Sequence, residues 1–252
     1  MDRMVIDTSD APEIKIANIH GSLRLKGWDR PQVRVDMELE DTLAMKADGN
    51  TVKISCESGS LLRVPNDSTI EIGSISNDLV IKSINGPINV KQVNGQISVK
   101  SIGSFNVADA HGNINAKHIE GSLQCERISG NANVHDVDGD VVLKAVHGNL
   151  NLSGPSENME ANAYGKVTLE LEPEPEGIYN ISTKGSINYR VEPFTNATIS
   201  MTTKGGKIRL NLPDNKQAIK GETHEFVIGE GDSKVALEAA GNIEISGSKG
   251  TH

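Results

Sequence analysis

Apolar residues recur through the middle of this chain on a beat of nine. Glycines at 86, 95, 103, 112, 121, 130, 139 and 148 set the register, with one interval of eight between Gly95 and Gly103. Extending back by nines places Asn77 and Ser68 at the same slot. With the glycine slot as position one, position three reads Ile70, Leu79, Ile88, Ile97, Phe105, Ile114, Leu123, Ala132, Val141 and Leu150. Position five runs from Ile72 to Leu152 and position eight from Ile75 to Val146, again without a polar residue. All 29 of these sites are apolar in a chain that is 36% apolar.

Positions three and five share one face of a strand, because strand side chains alternate with period two. Position four then faces outward, and in the units that open on glycine it holds Asn89, Ser98, Asn106, Asn115, Gln124, Asn133 and Asn151, with Val142 the exception. Position eight is out of step with three and five. The chain must therefore turn near positions six to nine, and Asn or Gly in each turn is expected to supply left-handed backbone there. Nine residues make one short strand and one corner. With no hairpin signal and no helical pattern, such units coil most simply into an all-β, single-stranded parallel β-solenoid, each strand pairing with its equivalent one turn later.

The C-terminal part suggests how many strands fill a turn. "ANAYGKVTLELEP", "ISTKGSINYRVEP" and "MTTKGGKIRLNLP" align at spacings of 20, with Gly165, Gly185 and Gly205 in register. Each unit holds two alternating strands, such as Ile199-Met201 and Ile208-Leu210-Leu212. A flattened rung of two strands per 18–20 residues is the expectation, and a triangular rung of 27 the alternative. The whole reads as one solenoid domain: cap strands over 1–67, nonapeptide rungs over 68–153, longer rungs and a C-terminal cap over 154–252. Within the first cap, strands are expected at 14–19, 21–26, 32–39 and 51–56, and 213–233 is the second cap candidate. Caps are needed because open strand edges invite aggregation.

Composition narrows the chemistry. Aromatics are only 3%, which fits a thin core of Ile, Val, Leu and Ala. A net charge of −9 without a Lys/Arg cluster argues against nucleic acid and anionic lipid as sequence-independent partners. Cys125 falls on an inward position and Cys56 ends an alternating run, so two buried free thiols are expected rather than a disulfide. No stretch is long enough to span a bilayer and the N-terminus has no apolar signal region. As written, the chain is expected in the cytoplasm, without membrane insertion, and any envelope association would come through partners.

Two stretches resemble a known family. "GSLRLKGWDRPQVRVDMELE" (Gly21–Glu40) is similar to the opening of the bacterial β-strand-repeat proteins known as putative adhesins. "LLRVPNDSTIEIGSISNDLVIKSINGPINV" (Leu61–Val90) resembles that family's passage into its V-x-G-x-[IV]-x-[VL] ladder. The Trp28-Asp29 turn and the Val64-Pro65 step are the more specific parts. The resemblance covers nearly the whole chain. It implies a β-solenoid of a kind often tethered to membranes and often encoded near envelope-stress regulators, and it brings no catalytic residues.

Candidate chemistry is sparse. "DVDGD" offers Asp136, Asp138 and Asp140 as oxygen ligands for a cation, but the further ligands of an EF-hand loop are missing and the acidic residues do not repeat. They fall on corner slots that neighbouring repeats fill with Glu120, Ser129 and His147. No cofactor and no metal site are expected. His111 and His147 fall two rungs apart in one column, about 9.6 Å, too far to share a zinc ion. The "EPEPEG" stretch (172–177) reads as a solvated turn. Asn115, Asn133 and Asn151 are 18 apart and should stack outward, either as an amide ladder or as a flat polar surface for a protein or glycan. Phosphate-binding, zinc-protease and nucleophile-elbow motifs are all absent. The expected role is a non-enzymatic structural or interaction module. A scaffold that self-associates through its ends is the alternative, and a polysaccharide-active β-helix enzyme a more distant one.

Overall fold

The computed structural model describes residues 2–37, 43–56, 58–192, 194–213 and 215–247. Among them are 27 strands and no helix, grouped into two compact units, 1–129 and 130–252. The chain is an all-β solenoid.

The first unit contains β1 (Asp2–Asp7), β2 (Glu13–Ile19), β3 (Leu23–Trp28), β4 (Gln32–Met37), β5 (Leu43–Asp48), β6 (Thr51–Cys56), β7 (Ser60–Pro65), β8 (Thr69–Ile75), β9 (Leu79–Ile84), β10 (Ile88–Val93), β11 (Ile97–Ile102), β12 (Phe105–Ala110), β13 (Ile114–Ile119) and β14 (Leu123–Ile128). One sheet runs β1-β4-β7-β3-β9-β11-β13 and the other β5-β6-β2-β8-β10-β12-β14. Consecutive strands of the repeat alternate between the sheets, so a rung has two sides and not three. Ile97 lies beside Leu79 and Ile114, and Phe105 beside Ile88 and Leu123, all in parallel register.

The second unit contains β15 (Ala132–Val137), β16 (Val141–Val146), β17 (Leu150–Ser156), β18 (Met159–Ala163), β19 (Val167–Pro173), β20 (Ile178–Thr183), β21 (Ile187–Val191), β22 (Ala197–Thr203), β23 (Ile208–Leu212), β24 (Asn215–Ile219), β25 (Thr223–Ile228), β26 (Ser233–Ala239) and β27 (Ile243–Gly247). Its sheets run β15-β17-β19-β21-β27-β23-β24 and β16-β18-β20-β26-β22-β25. Rungs lengthen here: Val141 pairs with Met159, and Met159 with Tyr179.

All 29 inward positions of the nonapeptide repeat are buried. Cys56 and Cys125 are buried free thiols, as their inward slots require. The out-of-step position eight is brought inward by a kink inside the strand. In β9, β11 and β13 position seven is left-handed: Ser83 at φ 57°, Ser101 at 52° and His118 at 53°. In the second unit Asp136 (54°) does the same in β15, and Gly154 (88°) is left-handed at the same slot of β17.

Gly154 apart, this corrects the expectation that glycine or asparagine supplies the left-handed residue. None of the eight ladder glycines has positive φ. At Gly86, Gly95, Gly103, Gly112, Gly121 and Gly148 the rungs approach too closely for a side chain. A Cβ on Gly112 would lie 2.3 Å from the carbonyl oxygen of Gly95, and one on Gly103 2.0 Å from that of Asn85. Gly205 is a second correction. It has φ 101° and a Cβ there would meet nothing, while its neighbour Gly206 occupies the crowded slot, where a Cβ would lie 2.0 Å from the Gly241 oxygen.

Each unit also has a displaced rung. In the first, the rung β2–β3 lies between β6–β7 and β8–β9, so the chain after β7 passes over it to continue. In the second, the last rung β26–β27 fills a slot between β20–β21 and β22–β23. Asn196 holds the entry to that slot, its Oδ1 accepting from the amides of Glu230 (2.8 Å) and Gly231 (2.7 Å). Edge strands β1, β5, β24 and β25 pair antiparallel with their neighbours. Expected strand 32–39 runs past the described residues, which stop at 37.

Candidate functional site

The outward Asn residues meet in part. In the second unit Asn133 on β15 and Asn151 on β17 lie in register, and Asn151 Nδ2 donates to Asn133 Oδ1 over 2.6 Å. Thr168 on β19 and Asn188 on β21 continue the row. Parallel pairing forces this: identical slots in successive rungs face each other across one strand spacing, within reach of an amide. Asn115, in the first unit, lies beside Ser98. One slot on, His135 Nδ1 is 2.8 Å from the Ser153 hydroxyl.

A second polar row, not singled out from the sequence, lies on the other sheet of the first unit. Asn89 and Asn106 face each other with their amides 3.5 Å apart, and Gln124 follows in register. They border a shallow depression of about 240 Å³. The signal was present in position four, but on the strands that alternate with the chosen set. Nearby, Arg127 clasps Asp109 with two nitrogens, which holds the Asp109 carboxyl below the usual carboxylate range.

The three aspartates of "DVDGD" point to different neighbours. Asp136 is the left-handed residue of β15, with its carboxylate 3.1 Å from His135 Nε2. Asp140 accepts from Asn158 Nδ2 at 2.9 Å. Asp138 borders an open cleft of about 510 Å³ with Glu157, Asn158, Glu174 and Glu176. Among the described residues no group of three or more His, Cys, Asp or Glu side chains is placed to hold a metal ion.

The wall of that cleft rests on a buried tyrosine that the sequence did not single out. Tyr179 Oη donates to the Ser156 carbonyl (2.6 Å) and accepts from the Glu174 amide (2.9 Å). Burial pushes its hydroxyl above the usual tyrosine range, against the lowering effect of the Glu174 and Ser156 hydrogen bonds. Tyr189 is also fully buried, and its hydroxyl has no hydrogen-bond partner among the described residues. At the corner of the same unit Tyr164 is stacked against His147 with ring centroids 4.8 Å apart, and Lys184 Nζ sits 4.2 Å from the centre of the Tyr164 ring.

The chain matches no known protein-family profile and no curated protein. Its fold is similar to three solved structures. One is a "putative cell adhesion protein" from Clostridium sporogenes ATCC 15579, at 12% identity and a TM-score of 0.25, covering 98% of this chain and 99% of that one. Another is a "putative adhesin" from Bacteroides fragilis NCTC 9343, at 11% identity and a TM-score of 0.38, covering 98% and 96%. The third is a "putative adhesin" from Parabacteroides distasonis ATCC 8503, at 13% identity and a TM-score of 0.30, covering 97% and 96%. All three are bacterial proteins named for adhesion. No helix among the described residues is long and apolar enough to cross a membrane.

Proposed function

We propose that the chain is a non-enzymatic interaction module that presents a rigid, regular β-solenoid surface to a protein or glycan, in the manner of an adhesin. The observation that carries this reading is the amide ladder. Asn133 and Asn151 are bound to each other across adjacent strands, while every inward slot beside them is buried. The fold's stability thus lies in the inward residues, and the outward row is free to vary. Such a row repeats donors and acceptors at about 4.8 Å, a spacing fixed by the backbone and not by flexible loops. A partner with its own regular array of polar groups would meet it without ordering costs on this side. The net charge of −9 weighs against nucleic acid and anionic lipid surfaces as general partners.

The scaffold alternative is less favoured. The edge strand β24 exposes Asn215, Lys216 and Gln217, a polar edge of the kind that discourages further pairing.

The test compares the full chain with an Asn133→Lys/Asn151→Lys double variant for binding to bacterial envelope fractions and to a glycan array. Loss of binding with an unchanged melting temperature supports the reading. Equal binding by both proteins removes this face from it, and a wild-type chain that binds in neither assay overturns it.

A further inference from the structure

The outer face of the sheet β5-β6-β2-β8-β10 carries a trough of about 570 Å³ that runs across the strands. Two outward rows form it. Lys46 faces Lys53, Lys53 faces Lys15, and Lys15 faces Glu71, giving one wall of long side chains. Beside that wall lies a floor of small residues: Ala44 opposite Ser55, then Ala17 and Gly73, with Lys91 at the far end. The displaced rung creates this arrangement, because β2 places Lys15 and Ala17 between strands that are distant in sequence.

The charges are unevenly satisfied. Lys15 Nζ lies 2.9 Å from Glu13 and 3.3 Å from Glu71, and Lys53 Nζ lies 3.7 Å from Asp48. Among the described residues Lys46 and Lys91 have no ion-pair partner. In a chain of net charge −9, two unpaired ammonium groups at the ends of one trough are a local cationic feature.

The floor limits what can lie there. Its one hydrogen-bonding side chain is Ser55, and at Ala17 and Gly73 the ladder is interrupted, with the nearby Ser74 amide taken up by Asn18 Oδ1. On this floor a peptide or sugar would find one side-chain partner, Ser55. An alkyl chain needs none and gains from leaving water. Four strand spacings give the trough a length of about 19 Å. Its volume falls within the usual range for a small-molecule site. An ammonium at the end of an apolar floor selects an acidic head group.

We propose that this trough binds a single-chain anionic amphiphile, with the alkyl chain along Ala44, Ser55, Ala17 and Gly73 and the acid at Lys91. The site uses none of the residues of the amide ladder and stands or falls separately from it.

Laurate titrated into the full chain below its micellar concentration, followed by calorimetry, tests the proposal. One saturable site is expected. Ala17→Leu, which adds bulk to the floor at an exposed position, should abolish binding while the melting temperature holds, and Ala44→Leu should act alike. Lys91→Gln should weaken laurate about fivefold, the equivalent of one exposed ion pair. Dodecanol, with the same chain and no charge, should bind wild type and Lys91→Gln equally. Absence of saturable laurate binding overturns the proposal, as does laurate binding that survives both floor variants. So does preferential binding of a Glu-rich peptide, or a concentration-dependent dimer that Ala17→Leu abolishes, which would assign the trough to a second copy.

Discussion

The Tyr179 hydroxyl reaches across the second unit to donate to the backbone carbonyl of Ser156, 2.6 Å away, and also accepts the Glu174 amide. Tyr189, equally buried, makes no such bond. The two hydroxyls therefore have opposite worth. Tyr179→Phe leaves a buried carbonyl and an amide without their partner and should cost about 1–3 kcal/mol. Tyr189→Phe removes an unsatisfied group and should be neutral or stabilising by up to about 1 kcal/mol. Urea denaturation of both variants measures the contrast. Equal destabilisation would show that Tyr189 has a partner of its own.

The two kinds of special backbone position make a second contrast. Gly112 is there for space, since its Cβ would strike the Gly95 carbonyl. Gly112→Ala should cost about 1–3 kcal/mol, as overpacking does. Ser101 is there despite its left-handed backbone, φ 52°. Ser101→Gly should change stability by less than about 0.5 kcal/mol, because relief of left-handed strain offsets the entropy glycine loses on folding. Ser101→Val should cost about 1–2 kcal/mol, since a branched side chain resists positive φ. Thermal melts of the three variants decide; a stabilised Gly112→Ala would contradict the close stacking.

Much of this fold was legible in the sequence because each rung repeats its neighbour. Ile114, Leu123 and Leu143 announce their burial by recurrence, and the alternation of strands between two sheets follows from the paired strands in each 20-residue repeat. The displaced rungs were not legible. β2 and β26 pair in parallel with strands far away in sequence, and no local pattern records which rung lies next to which. The left-handed slot was hidden because Ser83, Ser101, His118 and Asp136 carry no glycine signal. The trough was hidden for the same topological reason: Lys15, Lys46 and Lys53 are scattered singles until β2 enters the sheet. The Asn row was visible, but it took strand pairing to set Asn151 against Asn133 as a bonded pair.

Cys125 offers a probe of how closed the core is. Burial, and secondarily the charge of Glu126, pushes its thiol far above the usual cysteine range. A thiol is reactive only as thiolate. At pH 8 the native chain should therefore react with a thiol reagent only as fast as it opens, and the rate should rise steeply with urea. Rapid labelling of Cys125 in a Cys56→Ser background, without denaturant, would place it outside the core.

The inward register can be tested by charge. Ile114, Leu123 and Leu143 are fully buried on the inward faces. Replacing any of them by Asp buries an uncompensated carboxylate, at a cost of several kcal/mol, on the order of a small domain's whole stability. Each variant should lose its cooperative melt by circular dichroism. Asn106→Asp, on the exposed face, should stay within about 0.5 kcal/mol of wild type. A cooperative melt retained by Ile114→Asp would overturn the register.

The edge strand β1 is held in part by electrostatics with a defined sign. Asp36 on β4 is almost fully buried, with Arg34 Nη2 2.7 Å and Arg3 Nε 3.1 Å from its Oδ1. Burial raises the Asp36 pKa, but the hydrogen bonds from Arg34 and Arg3 outweigh it and hold the carboxyl below the usual range. In the unfolded chain an aspartate titrates near about 4. The pair therefore contributes its full stability above that pH, and the contribution is lost as pH falls through the lower folded value. Asp36→Asn should melt below wild type at neutral pH by an amount that stays constant down to about pH 5. Below that the gap should narrow, because wild type loses the interaction while the variant has none to lose. Melting temperatures taken from pH 7 to pH 2 measure the gap. If it stays the same throughout, the anchoring is one of packing and not of charge.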